Sequence, residues 1–367
     1  MFDTDVFIAG GGPAGLAAAI ALRARGLRVV VADGNKPPID KACGEGLMPD
    51  ALAAARAIGI EIPREAGYAF RGIRFMGGET QVNADFPDGE GLGLRRTVLH
   101  EMLLRQVEEA GVDLRWEAPI TGIDDGAAYA GGHRVAARWI VGADGSQSSV
   151  RRWARLEGSV RNSQRIAFRR HYAAAPWTPF VEIHWGEGCQ FYVTPVAASE
   201  VCVVLISRDP HLRIDDVLPQ FPALAEHLGG ARGTTPERGS ATATRKLRSV
   251  VRGNVALIGD ASGTVDAITG EGLCLAFRQA EALAGALAAG EIGLYRSRHR
   301  RLGLRPAFMA DFMLTMDRAG WLRTRALHAL AEQPRLFANL LAMHVGKLPF
   351  TEFAWTGLSL GRRILTA

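Results

Sequence analysis

The chain has 367 residues, of which 48% are hydrophobic and 22% are charged, a composition that is typical of a folded globular protein and not of a disordered one. The four cysteines (Cys43, Cys189, Cys202 and Cys274) show no CxxC spacing, so neither a disulfide framework nor a zinc site is indicated and we expect no metal. No run of about 18 apolar residues and no signal peptide occurs, so we expect a cytoplasmic protein.

The net charge of +5 is distributed unevenly along the chain. Residues 296–367 carry twelve Lys and Arg against four Asp and Glu, a balance of +8, whereas the remainder carries −3. Such a basic segment can face an anionic cofactor, a membrane surface or solvent. No recognisable binding module accompanies the basic residues, so we expect no nucleic-acid partner.

The N-terminal segment predicts a β-α-β unit. The apolar run 5–9 has the length of a strand, and it is followed by glycines and by an alanine-rich helical stretch at 14–25. Gly26 ends that helix, and 28–32 is a second, β-branched strand. Later segments that fit the same sheet are a helix at 97–109, strands at 112–116, 138–142 and 254–258, and an alanine-rich helix at 272–287.

An insertion of extended segments interrupts this pattern. Within it, Val181, Ile183 and Trp185 alternate as in a sheet with one covered face, which predicts a mostly antiparallel second domain. The extended segments are 164–172, 180–185, 190–196 and 201–207. From Tyr295 onward the pattern is helical, and we predict breaks at Pro306, Gly320, Pro334 and Pro349.

The predicted fold class is therefore α/β with an α+β insertion: a Rossmann-like dinucleotide-binding domain, a β-sheet substrate domain and a C-terminal helical region. The dinucleotide-binding domain is predicted at 1–70, 97–155 and 250–295. The substrate domain is predicted at 71–96 and 156–249, and the helical region at 296–367.

A glycine-rich turn joins the first predicted strand to the first helix. Its residues are Gly10, Gly11, Gly12, Pro13, Ala14 and Gly15. In this setting Gly10 permits the tight turn, Gly12 lets the backbone approach a pyrophosphate and Gly15 lets the helix and strand pack closely. Asp33, at the end of the second strand, can accept hydrogen bonds from ribose hydroxyls. An adenine dinucleotide is therefore predicted, and the turn alone does not separate FAD from NAD.

Two later segments resemble FAD-contacting motifs of one flavoprotein family. Val-Gly-Ala-Asp-Gly-Ser at 141–146, with Asp144, resembles a strand and loop near the FAD pyrophosphate. The segment 255–261, which contains Gly259 and Asp260, resembles the strand whose aspartate bonds the ribityl chain. With the glycine turn, these motifs identify residues 1 to about 290 as similar to the para-hydroxybenzoate-hydroxylase-like flavoproteins. That family includes group A monooxygenases, flavin halogenases and geranylgeranyl reductases.

The resemblance implies FAD as the cofactor and, since no second glycine turn occurs, NAD(P)H as a transient reductant. It also implies further contacts with FAD. Arg96, at a helix start, looks like the arginine that reaches FAD, and Ile120 lies where the adenine is covered. The loop with Gly270, Gly272 and Leu273 looks like the one whose amides face the flavin pyrimidine end, where they would stabilise negative charge.

The reaction type depends on residues beside the flavin ring. Cys43 and Gly44 follow the second strand and resemble the geranylgeranyl reductase branch, as does the later Thr-Gly-Glu-Gly sequence. The aromatic strand of that branch is only partly matched at 190–195, and the paired tryptophans of halogenases are missing. Cys43, Tyr192 and His184 are weak catalytic candidates, for which ordinary packing is the alternative interpretation.

Three functions follow from these patterns. The leading hypothesis is an NAD(P)H-dependent FAD monooxygenase or hydroxylase of a lipophilic or aromatic small molecule. The alternatives are a geranylgeranyl-reductase-like enzyme that reduces a carbon-carbon double bond, and a non-catalytic flavin-binding electron relay. The basic C-terminal helices could contact a membrane peripherally, cover an apolar channel or form an amphipathic cap. No feature of the sequence indicates an oligomeric state.

Overall fold

The computed structural model describes residues 2–160 and 165–349. The predicted extended segment 164–172 begins at residue 164, and the predicted helical region extends to residue 367. Residue 164 and residues 350–367 lie outside the described residues.

The described chain contains the following strands and α-helices. The strands are β1 Thr4–Ala9, β2 Val29–Ala32, β3 Gly46–Leu47, β4 Tyr68–Phe70, β5 Gly72–Gly77, β6 Thr80–Asp85, β7 Gly91–Gly93, β8 Asp113–Arg115, β9 Ile120–Asp124, β10 Ala127–Ala130, β11 His133–Gly142, β12 Ser159–Val160, β13 Arg165–Tyr172, β14 Phe180–Trp185, β15 Cys189–Ala197, β16 Glu200–Ser207, β17 Arg238–Thr242, β18 Arg245–Lys246, β19 Val251–Arg252 and β20 Val255–Leu257. The α-helices are α1 Pro13–Arg23, α2 Pro49–Ala57, α3 Arg96–Glu109, α4 Ser149–Trp153, α5 Ile214–Val217, α6 Pro222–His227, α7 Gly272–Ala288, α8 Gly293–Leu302, α9 Leu304–Arg318, α10 Gly320–Glu332 and α11 Pro334–His344.

The larger sheet aligns the ends of its parallel strands at one edge. Its strand order is β19-β20-β11-β1-β2-β8, with β10 and β9 added beside β11. Ala9 of β1 lies opposite Ala32 of β2 and Gly142 of β11, and Gly142 lies opposite Leu257 of β20. The loops that follow these four strands therefore meet at one edge, which is where open α/β sheets bind ligands.

Helix α1 leads away from that edge. Pro13 stands in its first turn, where a missing N–H costs nothing, and most of the following Ala and Leu residues are buried. Gly26 has a φ of 78°, which lets the chain reverse after the helix and enter β2. The predicted β-α-β unit is confirmed, with the helix at Pro13–Arg23 in place of 14–25.

The second sheet has seven strands in the order β17-β13-β16-β15-β14-β5-β6. Neighbouring strands within this sheet are antiparallel, except β14 and β5, which are parallel. One face of the sheet packs against α9, α10 and α11, and the other face packs against α5 and α6. This sheet is therefore covered on both sides, so its two faces meet different surroundings.

The C-terminal helices break at positions that differ in one place from the prediction. Pro306 is the third residue of α9 and does not interrupt it, because a proline in the first turn has no intrahelical hydrogen bond to lose. The break between α8 and α9 lies at Gly303. Gly320 and Pro334 begin α10 and α11, as expected for helix breaks.

The predicted α/β class, with a Rossmann-like domain, a β-sheet insertion and C-terminal helices, is confirmed. The seven-stranded sheet takes its strands from 72–85 and 165–242, within the two segments predicted for the substrate domain, and the domain boundaries themselves stay a prediction. Across the described ranges, none of the helices combines the length and the apolar character needed to cross a bilayer.

Candidate functional site

A cavity of about 840 Å³ lies where the parallel strands of the larger sheet end. Its walls include the glycine turn after β1, the loops after β2, β11 and β20, and the start of α7. It continues between the seven-stranded sheet and helices α9 and α11. The cavity thus joins a compartment lined by loops to an apolar one.

The glycines of the turn are required for different reasons. Gly10 has a φ of 114°, and a Cβ there would overlap the backbone of Ala143. A Cβ at Gly15 would overlap the carbonyl oxygen of Gly10, so this glycine lets α1 pack closely on the turn. A Cβ at Gly12 would meet no atom within 4 Å, although Gly12 lines the cavity. The protein's own packing therefore does not explain Gly12, whereas a ligand in the cavity does.

Asp33 supports the same turn. Its carboxylate accepts a hydrogen bond from the N–H of Gly11 at 2.8 Å and another from the N–H of Asn35 at 2.8 Å. On the other side of the turn, Nε2 of His100 lies 2.9 Å from the Gly11 carbonyl oxygen. Burial lowers the pKa of His100, which favours the neutral ring. Asp33 and His100 thus hold the turn from both sides.

The other two predicted acids lie in different surroundings. Asp144 accepts hydrogen bonds from Oγ of Ser148 at 2.5 Å and from the N–H of Ser149 at 2.7 Å, so it caps the start of α4. Asp260, whose side chain is 45% exposed, forms an ion pair with Nζ of Lys41 at 3.1 Å. Both aspartates line the cavity. Asp144 therefore holds its loop in place, whereas the carboxylate of Asp260 contacts only a lysine side chain among the hydrogen bonds described.

The remaining predicted cofactor contacts also lie on the cavity wall. They are Pro13, Ala14, Cys43, Gly44, Arg96, Ile120, Gly259, Gly270, Gly272 and Leu273. Nε of Arg96 is buried and lacks a hydrogen-bond partner in the described part of the chain. Gly270 has a φ of 68°, which turns the loop toward the start of α7 at Gly272. Unpaired N–H groups of that first turn carry partial positive charge.

The Cys43 segment is held by a buried network that sequence reasoning missed. Glu45 has a φ of 58°, and its carboxylate accepts hydrogen bonds from the N–H of Arg96 at 3.0 Å and from Nε2 of His171 at 2.6 Å. Nη1 of Arg169 lies 3.0 Å from Nδ1 of His171. The N–H of Glu45 in turn donates to Sγ of Cys43 at 3.4 Å. This network fixes the backbone that presents Cys43 to the cavity.

Cys202 joins this network and raises the question of a metal. Ligand atoms of Glu45, His171 and Cys202 lie within 4.8 Å of one another. The 2.6 Å bond between Glu45 and His171 already engages both of those side chains. Burial raises the pKa of the Cys202 thiol well above its usual value, which disfavours the thiolate that binds metals. We therefore interpret the cluster as a hydrogen-bonded support.

The apolar compartment lies between β14, β15 and the C-terminal helices. Its walls include Phe75, Val181, Ile183, Met313, Phe337 and Leu340. Tyr192 lies opposite Ile183 in the sheet and also lines the cavity, where its hydroxyl donates to the carbonyl oxygen of Ile268 at 2.9 Å. Burial raises the pKa of Tyr192, so its hydroxyl stays protonated and engaged with the backbone.

His184 lies on the other face of this sheet. It follows Ile183 in β14, so its side chain points to the opposite face of the sheet, where Nε2 bonds Oε2 of Glu182 at 3.0 Å. It is not among the described residues that line the cavity. As a catalytic candidate it is therefore placed outside the site, because strand alternation separates it from its neighbour.

Comparison with known proteins identifies the family. The family model described as FAD binding domain matches residues 3–294. This chain belongs to that family. The menaquinone reductase of Mycobacterium tuberculosis (strain H37Rv) is 27% identical over 301 residues, which are 74% of this chain and 73% of the relative. The ubiquinone hydroxylase UbiL of Rhodospirillum rubrum is 26% identical over 92% of this chain and 82% of its own.

A solved structure extends the comparison to the fold. The flavin-dependent brominase Bmp2 superposes with a TM-score of 0.80 over 94% of this chain and 93% of its own, at 19% identity. Membership of the FAD-binding family confirms the predicted resemblance and the prediction of an FAD-dependent oxidoreductase. The open space at Gly12 and the unpartnered Nε of Arg96 fit an anionic dinucleotide. The individual FAD contacts stay predictions.

A second buried cluster, also missed from the sequence, lies where the loop before α7 meets α11. Glu271 and His344 both line the cavity. Oε1 of Glu271 lies 3.5 Å from Nη2 of Arg305, which also pairs with Asp50 at 3.1 Å. Burial raises the pKa of the Glu271 carboxyl, although His344 and Arg305 oppose this effect. The position of Glu271 between two glycines was the one available signal, and no local pattern indicates His344.

Proposed function

We propose that this chain is an NAD(P)H-dependent FAD monooxygenase that hydroxylates a lipophilic small molecule bearing an aromatic or quinone ring. The observation that carries this proposal is the continuity of the cavity from the dinucleotide loops into an apolar compartment. A cavity of this kind suits an apolar ligand whose reacting ring meets the flavin. The relatives named for menaquinone and ubiquinone support a ring of that class.

The loops at the sheet edge would hold FAD. Gly12 and the start of α1 would face the pyrophosphate, Asp33 the adenosine ribose and Asp260 the ribityl chain. The start of α7 at Gly272 would face the flavin ring. When bound, FAD supplies the redox chemistry with NAD(P)H and oxygen. Without a second glycine turn in the sequence, NAD(P)H would bind transiently.

The chain's own residues would position the substrate and exclude water. The apolar wall formed by Phe75, Ile183 and Phe337 would bury the lipophilic part of the substrate. The hydrogen bond from Tyr192 to the Ile268 carbonyl would tie the flavin loop to the substrate sheet. Helix α7 would stabilise negative charge near its N-terminus.

One observation favours a reductase as a second candidate. Cys43 lies on the cavity wall, in the segment that resembles geranylgeranyl reductases, and the relative from M. tuberculosis is named a menaquinone reductase. Such an enzyme would transfer hydride from the reduced cofactor to a carbon-carbon double bond. It would need no oxygen.

Oxygen dependence separates these functions. The FAD-loaded protein is mixed with NADH or NADPH and with 4-heptylphenol or a short-chain ubiquinone, in air and under strict anaerobiosis. Substrate-stimulated NAD(P)H oxidation that requires oxygen and yields a hydroxylated product supports the proposal. Equal turnover without oxygen would overturn it in favour of the reductase. Bound FAD without any stimulation would favour the electron relay.

We also propose that the C-terminal helices touch the membrane from which a lipophilic substrate comes. Trp321 is 63% exposed and Leu304 is 64% exposed, and the Arg325 guanidinium lies 5.8 Å from the centre of the Trp321 ring. Exposed apolar residues beside arginines favour an anionic lipid surface. The protein should therefore sediment with anionic vesicles more than with neutral ones, and less after Trp321→Ala. Equal sedimentation with both kinds of vesicle would contradict this.

A further inference from the structure

A buried ion pair joins the loop before α7, residues 263–271, to the seven-stranded sheet. Asp266 of this loop lines the cavity. Its Oδ1 pairs with Nη2 of Arg165 in β13, and its Oδ2 lies 3.4 Å from Nε of the same guanidinium. Both side chains of the pair are at most 2% exposed. The loop is thus held by a two-point charged contact that is almost fully buried.

Three further hydrogen bonds fix the position of this loop. The N–H of Ile268 donates to Oδ1 of Asp266 at 3.1 Å, so the acid also caps the turn that follows it. The N–H of Ala267 donates to Oγ1 of Thr242 in β17 at 3.0 Å, and the hydroxyl of Tyr192 in β15 donates to the carbonyl oxygen of Ile268 at 2.9 Å. The loop is therefore fixed by three strands of the seven-stranded sheet, although it continues directly into α7.

The charges around the pair are balanced. Nη1 of Arg165 donates to Oε1 of Gln190 at 3.2 Å, and the amide of Gln190 donates to Asp317 of α9. Nε of Arg208 donates to Asp317 at 3.0 Å. Two guanidinium groups thus accompany two carboxylates. Asp266 lines the cavity, whereas Arg165 is not among the described residues that do, so the carboxylate is the member of the pair that meets the cavity.

A buried charge on this wall matters to a redox cofactor because reduction changes the charge of that cofactor. Reduction of FAD by two electrons and one proton adds one negative charge, which a nearby positive group favours and a negative group opposes. A unit charge that acts over about 12 Å at an effective dielectric constant of about 20 changes such an equilibrium about tenfold. Loss of either partner of a buried pair leaves the other charge uncompensated.

From this arrangement we propose that the Arg165–Asp266 pair sets the reduction potential of the bound FAD. Asp266 brings a negative charge to the cavity wall, and Arg165 is a positioning residue that acts through Asp266 by holding it and cancelling its charge. The inference goes beyond the proposed function, since a monooxygenase and a reductase both use reduced FAD. It requires only that FAD binds in the cavity.

The test measures the two-electron reduction potential of the FAD-loaded protein at pH 8, by reductive titration against a reference dye. Asp266→Asn keeps an oxygen for the N–H of Ile268 but leaves Arg165 uncompensated. It should favour reduced FAD about tenfold, which raises the potential by about 30 mV. Arg165→Gln leaves Asp266 uncompensated, so it should lower the potential. Arg165→Lys keeps the charge and should stay close to the unsubstituted protein.

The double variant separates charge from structure. Arg165→Gln combined with Asp266→Asn removes both charges, so it should bring the potential back toward that of the unsubstituted protein. The control variant is Gln190→Leu, which removes a hydrogen bond to the same guanidinium without changing any charge. It should lower the melting temperature and leave the potential unchanged. FAD content and melting temperature are measured for every variant.

A shift of the potential in the same direction in both single variants and in Gln190→Leu would indicate a merely structural role and overturn the inference. An unchanged potential in Asp266→Asn would overturn it as well. If Asp266→Asn does not retain FAD, Asp317→Asn takes its place, because it also removes one carboxylate from the balanced group; a potential that does not rise would then overturn the inference. Failure of the unsubstituted protein to bind FAD would instead overturn the proposed function.

Discussion

Adding a methyl group at position 12 distinguishes the effect of this residue on FAD binding from its effect on the stability of the fold. Gly12 has a φ of −74° and a ψ of 177°, which alanine adopts without strain. No described atom other than its chain neighbours lies within 4 Å of the new Cβ. We therefore predict that Gly12→Ala leaves the FAD-free protein folded. A compatible Gly-to-Ala change raises the free energy of unfolding by about 0.4–1 kcal/mol.

The same methyl would stand in the space assigned to the FAD pyrophosphate. Forcing one extra carbon into a close-packed contact costs about 1–3 kcal/mol, and 1.4 kcal/mol is about tenfold in Kd. We thus expect the affinity of Gly12→Ala for FAD to fall by about 5- to 150-fold. The affinity for FAD should therefore fall while the free energy of unfolding of the FAD-free protein rises.

Titration of FAD into the apoprotein and thermal melts of the apoprotein measure both quantities. Gly15→Ala is the control, because its Cβ would overlap the Gly10 carbonyl oxygen; it should lower both the stability and the affinity. Equal affinity of Gly12→Ala and of the unsubstituted protein for FAD would contradict a pyrophosphate at this position. Destabilisation of the apoprotein by Gly12→Ala as large as that by Gly15→Ala would contradict it equally.

Three further predictions concern other parts of the molecule. Burial lowers the pKa of His299 to about 4, so the unfolded chain binds this proton first as the pH falls below about 6.5. When the pH falls from 7 to 4, the free energy of unfolding should decrease by about 3 kcal/mol more in the unsubstituted protein than in the His299→Gln variant. Equal decreases of the two proteins, measured by chemical denaturation, would contradict this. Glu45→Ala leaves Nε2 of His171 and the N–H of Arg96 without their acceptor, and at about 1–3 kcal/mol for each unpaired donor it should cost about 2–6 kcal/mol in urea unfolding; a loss under about 1 kcal/mol would be inconsistent with a buried support. Met313→Trp fills the apolar compartment, so 4-heptylphenol should bind at least about tenfold more weakly at unchanged FAD content, and unchanged phenol affinity would place the ligand elsewhere.

Local sequence patterns account for the part of the fold that holds the dinucleotide. The glycine turn, the helix after it and Asp33 are specified within residues 10–33, and the structure places the turn, the start of the helix and Asp33 at one sheet edge. The strand predicted at 180–185 is observed with the same bounds. Such elements depend on backbone geometry and side-chain periodicity, which a single sequence displays directly.

The substrate side of the site depends on packing that local patterns do not encode. Ile183 and His184 are neighbours, and strand alternation places them on opposite faces. Which face meets the cavity is decided by where α9 and α11 pack. Glu271, just before α7, and His344, at the end of α11, are far apart in sequence and meet only in the folded chain, as do Glu45 and His171. No periodicity links such pairs, so the sequence could not assign them to one site.

We propose that FAD and a lipophilic ring substrate meet in this cavity and that oxygen is inserted into the ring. The most direct measurement uses isotopically labelled dioxygen with the FAD-loaded protein and NAD(P)H, in separate reactions with 4-heptylphenol and with a short-chain ubiquinone, followed by mass spectrometry of the products. We predict a product that carries one labelled oxygen atom. A turned-over substrate, such as a short-chain ubiquinone, that has gained two hydrogens and no labelled oxygen would contradict it and establish reduction instead.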